Sequence, residues 1–253
     1  MRGEGWRPLL IALGLLTRLP IPWRGVPADA RELGQSVLYY PLVGVVIGLV
    51  LAAVAVCLPG WLDVGVRAAL VLIAWVWLTG GLHLDGLADT ADGWIGGLGD
   101  PARGLAIMKD PRSGPAAVVA VVLLLVLKWN LARVALQTQA LEGWLIAPLL
   151  GRVAIVLLFL TTPYLRAGGM GAEAARSLPR FWAGLVVVAW MVGVGWWSSV
   201  WIVAIFGVVW FGVRRAWMGR FGGVTGDLAG ASCEMIEAVV MLAWVWQWQE
   251  AVR

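Results

Sequence analysis

The sequence is poor in charge. Asp, Glu, Lys and Arg make up 13% of its 253 residues, while 61% are hydrophobic. A soluble domain carries roughly 25% charged residues. A soluble core cannot absorb that much apolar surface, so an ordinary globular domain is excluded. Cysteine is nearly absent. Cys57 and Cys233 have neither a CxxC nor a Cys/His spacing, so neither a zinc site nor a disulfide framework is indicated. Histidine occurs once, at position 83. The formal charge of +4 comes from dispersed basic residues rather than a stripe, which speaks against nucleic acid as a partner. A signal peptide is also missing from the N-terminal pattern. Arg2 and Arg7 precede the apolar run Leu9 to Leu16, but Thr17-Arg18-Leu19-Pro20-Ile21-Pro22 follows in place of small residues. That run reads as a short helix on or in the membrane surface, stopped by two prolines.

Long uncharged runs are what the chain has instead. Leu42 to Leu58 and Phe181 to Val213 contain no charge, and a spanning helix needs about 20 apolar residues. The pattern predicts an all-α, polytopic transmembrane bundle, with 1–253 as one integral membrane domain in the lipid bilayer. Seven spans are expected, near 37–58, 64–82, 114–136, 144–165, 181–198, 200–213 and 235–249. The fifth and sixth form one uninterrupted apolar run in which only Trp196-Trp197-Ser198-Ser199 suggests a turn. Charge decides between one helix and two. With two, fourteen Lys and Arg fall on one side, including Arg2, Arg24, Arg166 and Arg214, against Arg67 and Arg253 on the other. A single span would strand Arg214, Arg215 and Arg220 opposite the rest. The positive-inside rule then places the N-terminus and the longer loops in the cytoplasm and the chain in the inner membrane. Residues 1–35 form an interfacial segment, and 80–113 and 214–235 form cytoplasmic segments. Many of the eighteen tryptophans end apolar runs, among them Trp61, Trp144, Trp182, Trp201 and Trp244, as an interfacial belt would.

Inside such a chain the carboxylates are informative, because a charge near hydrocarbon is costly and persists mainly for function. The densest group is GGLHLDGLADTADGW, residues 80–94. Asp85, Asp89 and Asp92 stand at i, i+4 and i+7, so a helix through them puts three carboxylates on one face. Like charges so placed repel unless a cation neutralises them, and all-oxygen ligands select a hard ion such as Mg²⁺. His83 points to another side of that helix, where a general base, a nucleophile, a phosphate ligand and a purely structural residue are all open readings. The second group is Met108-Lys109-Asp110-Pro111-Arg112-Ser113-Gly114-Pro115, which offers cations and helix N-terminal amides to an anion. Positive-inside anchoring explains Lys109 and Arg112 but not Asp110. The third is GGVTGDLAGASCEMIE, residues 222–237, a glycine-rich turn opening a helix on which Asp227 and Glu234 share a face. Lys128, Arg133 and Arg152 fall within spans, where packing partners or snorkelling explain them as well as a ligand does.

Those three motifs, with TRLPIP (17–22) and YYPLVGVVIG (39–48), resemble the cobalamin synthase family, the adenosylcobinamide-GDP ribazoletransferases of coenzyme B12 assembly. The resemblance covers nearly the whole chain in the family's order. It departs at Pro111-Arg112-Ser113, where the family pattern has a Ser-Arg-Ile/Leu-like run. It implies a Mg²⁺-dependent inner-membrane enzyme that joins α-ribazole, or its 5′-phosphate, to adenosylcobinamide-GDP and releases GMP. Asp85, Asp89 and Asp92 would then hold the metal against the pyrophosphate, with Lys109 and Arg112 neutralising developing charge. The ribazole 5′ oxygen is the expected attacking group. Asp227 and Glu234 would complete a second metal site or orient that nucleophile, His83 or a carboxylate would take its proton, and Asp110 belongs to the same catalytic group. Arg18, Gly114, Thr225 and Gly226 are carried over as ligand-binding positions. A homo-oligomer, or a complex with other cobalamin-assembly enzymes, is left open. Two other readings compete: a CDP-alcohol phosphotransferase-like enzyme, whose spaced aspartate motif differs from the tight packing here, and a cation transporter, whose acids would be distributed across the bilayer.

Overall fold

The computed structural model describes residues 6–21, 28–138 and 141–252. Arg2, Arg24 and Arg253 of the charge count, and Pro22, lie outside the described residues.

The described chain is helical. The elements are α1 (Arg7–Leu16), α2 (Ala30–Ser36), α3 (Tyr40–Cys57), α4 (Val64–Thr79), α5 (Leu82–Gly96), α6 (Pro101–Ile107), α7 (Pro115–Thr138), α8 (Glu142–Thr161), α9 (Met170–Arg176), α10 (Arg180–Trp197), α11 (Val200–Phe221) and α12 (Gly226–Val252). Among the described residues, six helical segments are long and apolar enough to cross a membrane, and the number is seven if the bent pair α4 and α5 is counted as one span. The run 181–213 is two helices, parted at Ser198 and Ser199, where the Ser199 hydroxyl accepts from Trp201 N–H and caps α11.

The expected 64–82 span is broken. Gly80 and Gly81 take φ of +64° and +68°, a left-handed region that glycine enters without a Cβ penalty, and α5 leaves α4 at 87°. At the other end of α4, Asp63 Oδ1 accepts from Gly65 and Val66 N–H, so this acid is a helix cap.

Two helices form the centre. The apolar windows of α8 and α12 are 83% buried, against 22% for α7 and α11 and 17% for α10. α8 packs on α3 and α12, and α12 packs on α5 as well. The other three turn most of their Val, Leu and Trp surface outward, as a lipid-facing ring does. Two tryptophans assigned to the belt, Trp144 and Trp244, are core residues, whereas Trp61, Trp182 and Trp201 are exposed.

The 214–235 segment is mostly helical. Arg214, Arg215 and Arg220 ride on the last turns of α11, residues 222–225 make a short turn, and α12 starts at Gly226, nine residues before the expected span. That turn is stitched to the segment after α8: Leu165 N–H donates to Val224 O at 2.9 Å and Val224 N–H to Pro163 O at 2.8 Å.

Candidate active site

α5 and the start of α12 touch through glycine. A Cβ at Gly86 would lie 2.7 Å from Asp227 O, so only the absent side chain permits this approach. The contact brings Asp85 and Asp227 to one cavity of about 260 Å³, with Leu15, Tyr40 and Phe159 as apolar wall and His83 on the same lining. A mostly apolar cleft with a few convergent polar groups is the usual form of a small-molecule site. The charges of Asp85, Asp227 and Asp92 act against Asp89, and Arg166 acts with it. Neither the Asp85 nor the Asp89 carboxylate has a hydrogen-bond or ion-pair partner among the described residues.

The three-aspartate ligand set does not assemble. Positions i and i+7 are about 10 Å apart along a helix, too far to share one ion whose oxygens sit at about 2.1 Å. Asp92 has other work: its carboxylate accepts from Gly114 N–H at 2.5 Å and Ala117 N–H at 2.9 Å. It therefore satisfies the orphan amides at the head of α7 and places a negative charge on that helix's positive end. The amides expected to receive a substrate anion receive Asp92, and Gly114 serves through its backbone. Among the described residues no three His, Cys, Asp or Glu side chains converge to hold a metal. What remains is Asp85 and Asp89, one turn apart, unpaired and hard. Those two fit Mg²⁺, which is usually bound by one or two carboxylates with water and substrate phosphates.

The 108–115 segment is also rearranged. Asp110 accepts from Arg112 N–H, Nε and Nη2, the last at 2.6 Å, and the Arg112 side chain is 87% exposed. Its own Arg112 partner holds the Asp110 carboxyl down at about 2. Arg112 is thus turned to solvent and tied to its neighbour, and Lys109 is exposed. Arg18 donates its backbone N–H to Leu78 O at 2.7 Å and lies over Gly80. Thr225 is fully buried and its hydroxyl accepts from Leu228 N–H, so it caps α12, while Gly226 lines the cavity.

Glu234 is not at this site. Seven residues beyond Asp227 on a helix means about 10 Å deeper, and there Lys128 Nζ bonds Glu234 Oε2 at 2.6 Å and Glu237 Oε2 at 2.5 Å. Glu237 Oε1 pairs with Arg152, whose Nη2 lies 3.4 Å from His83 Nδ1. Lys128 also sits 4.4 Å from the Trp75 ring centre. All six side chains are buried. Two cations and two carboxylates balance, which is how ionised groups are retained in a low-dielectric interior. The sequence flagged four of these residues but gave no reason to pair them, since their partners lie 69 to 109 positions away.

Two residues of the site were not singled out by sequence. Arg166 pairs with Asp227 at 2.6 Å; its only signal was as one loop cation among many. Tyr164 lines the cavity beside it, packs edge-on to Phe159 and has its phenol pushed up by burial.

The model of the cobalamin-5-phosphate synthase family matches residues 8–245. The chain is similar to the adenosylcobinamide-GDP ribazoletransferase of Stutzerimonas stutzeri, at 48% identity over 93% of this chain and 96% of that one. It is equally similar to that of Pseudomonas fluorescens, at 48% over 93% and 97%, and 49% identical to one from Pseudomonas putida over 93% and 97%. No solved structure matches the chain.

Proposed function

The chain belongs to the cobalamin-5-phosphate synthase family, and from that premise we propose that it transfers the adenosylcobinamide phosphate of adenosylcobinamide-GDP to α-ribazole or α-ribazole 5′-phosphate, releasing GMP. The observation that carries the reading is the family match from residue 8 to 245, which includes the unpaired carboxylates Asp85, on the cavity lining, and Asp89, one turn further along α5. In the reaction a ribose oxygen bonds to the corrinoid-side phosphorus, the bridging P–O bond breaks, GMP leaves with the electron pair, and the hydroxyl proton is lost. The attacking atom expected from sequence, the 5′ oxygen, is corrected by the family's description: a cobalamin 5-phosphate already carries phosphate there, so another ribose hydroxyl attacks.

Asp85 and Asp89 would hold Mg²⁺ together with pyrophosphate oxygens, and the bound ion would neutralise charge on the transferring and leaving phosphates. Asp227, held by Arg166, faces the same cavity and orients the attacking hydroxyl. His83 has Nδ1 opposite a guanidinium, which only donates, so that nitrogen is an acceptor and the ring hydrogen sits on Nε2. His83 is then a hydrogen-bond donor to the ligand rather than the base. We place the N-terminus and this cavity on the cytoplasmic side of the inner membrane, supported by the Lys and Arg bias.

Purified protein in detergent, given adenosylcobinamide-GDP and α-ribazole, is expected to release GMP in a Mg²⁺-dependent manner. Reconstituted liposomes should show no cation flux. Flux without GMP release would replace this reading with transport.

A further inference from the structure

We propose that Arg166, rather than Lys109 or Arg112, is the cation that grips the pyrophosphate of the donor. The inference rests on the transferase reading above and adds a catalytic residue to it. Lys109 is exposed, and Arg112 spends its forked face on Asp110 and points to solvent. Arg166 is placed differently. Its Nη2 sits 2.6 Å from Asp227 Oδ2 and 3.5 Å from Met108 O, and its charge acts on Asp89. It is therefore paired with an acid that lines the cavity, close enough to Asp89 for its charge to act there, and at the end of the segment leading to Asp110.

A guanidinium has five N–H donors in a rigid fork. Among the described residues, Arg166 uses Nη2 alone, and its Nε–H is buried without an acceptor. A buried donor left unpaired is costly, and a phosphate oxygen supplies the missing acceptor in the bidentate geometry that arginine favours. The backbone that carries it is fixed, because Pro163 and Leu165 are hydrogen-bonded to Val224 just before α12. Arg166 thus arrives preorganised, with Asp227 holding one nitrogen while Nε–H is left without an acceptor.

The test is donor binding by the detergent-purified full chain, without acceptor, together with thermal melting. Arg166→Ala is expected to weaken adenosylcobinamide-GDP binding about 10- to 100-fold, with the melting transition little changed. Arg166→Lys should restore only part of the affinity, because an ammonium cannot reproduce the fork. Arg176→Ala, on an exposed pair with Glu173, serves as the control and binds as wild type does. If Arg166→Ala binds donor within twofold of wild type while losing turnover, Arg166 merely tethers Asp227 and the proposal is overturned. Should the alanine variant not fold, Arg166→Lys decides: a loss above fivefold supports the contact, and affinity within twofold removes it. Failure of the transferase reading itself would show separately, as wild-type protein that does not bind the donor.

Discussion

Asp85 and Asp89 are exposed or half-exposed carboxylates with no protein partner, whereas Asp92, only three residues on, is engaged by two backbone amides. The three acids therefore separate on substitution. Asp85→Asn and Asp89→Asn should each lower turnover by more than about 100-fold, as loss of a metal ligand does, and leave membrane insertion and melting unchanged. Asp92→Asn should instead cost about 1 kcal/mol of stability through the α7 cap, measured by melting in detergent, with a milder effect on rate. Arg112→Ala should lower turnover far less than Arg166→Ala, since an exposed, self-paired arginine contributes little. Steady-state rates of the two variants, measured side by side, check that order.

Helices explain what the sequence disclosed and what it withheld. The spans were legible because bilayer thickness and hydropathy set them almost alone, and the break at Ser198 and Ser199 was legible through charge. The 87° bend was not, because a Gly-Gly pair permits a left-handed turn without requiring one. Asp227 and Glu234 looked like partners because they share a helix face, yet seven residues also separate them by two turns of depth. The partners of Glu234 and Glu237 came from α7 and α8, which no local spacing can reveal. Removing one member tests that buried cluster: Glu237→Ala strands Arg152 and Lys128 and should destabilise the protein by about 3–5 kcal/mol, read by denaturation in detergent. Gly86→Ala should act at the same scale by another route. A methyl 2.7 Å from Asp227 O must push α5 off α12, costing about 1–3 kcal/mol and dispersing the site, so both melting and turnover should fall.

At the level of the whole molecule, a membrane bundle builds its site where the bent pair α4 and α5 meets the head of one of its two most buried helices. The neutral cluster of Lys128, Arg152, Glu234 and Glu237 lies beneath, reaching the cavity through His83. Apolar helices α7, α10 and α11 wrap the outside. The central claim is that Asp85 and Asp89 hold magnesium against a pyrophosphate at this opening. A Mg²⁺ titration of GMP release by wild type, Asp85→Asn and Asp89→Asn tests it most directly. Wild type should show saturable dependence abolished by chelator, and each variant should lose turnover or need far more Mg²⁺. Chelator-resistant wild-type turnover, or variants that saturate at the wild-type concentration with the wild-type rate, would contradict it.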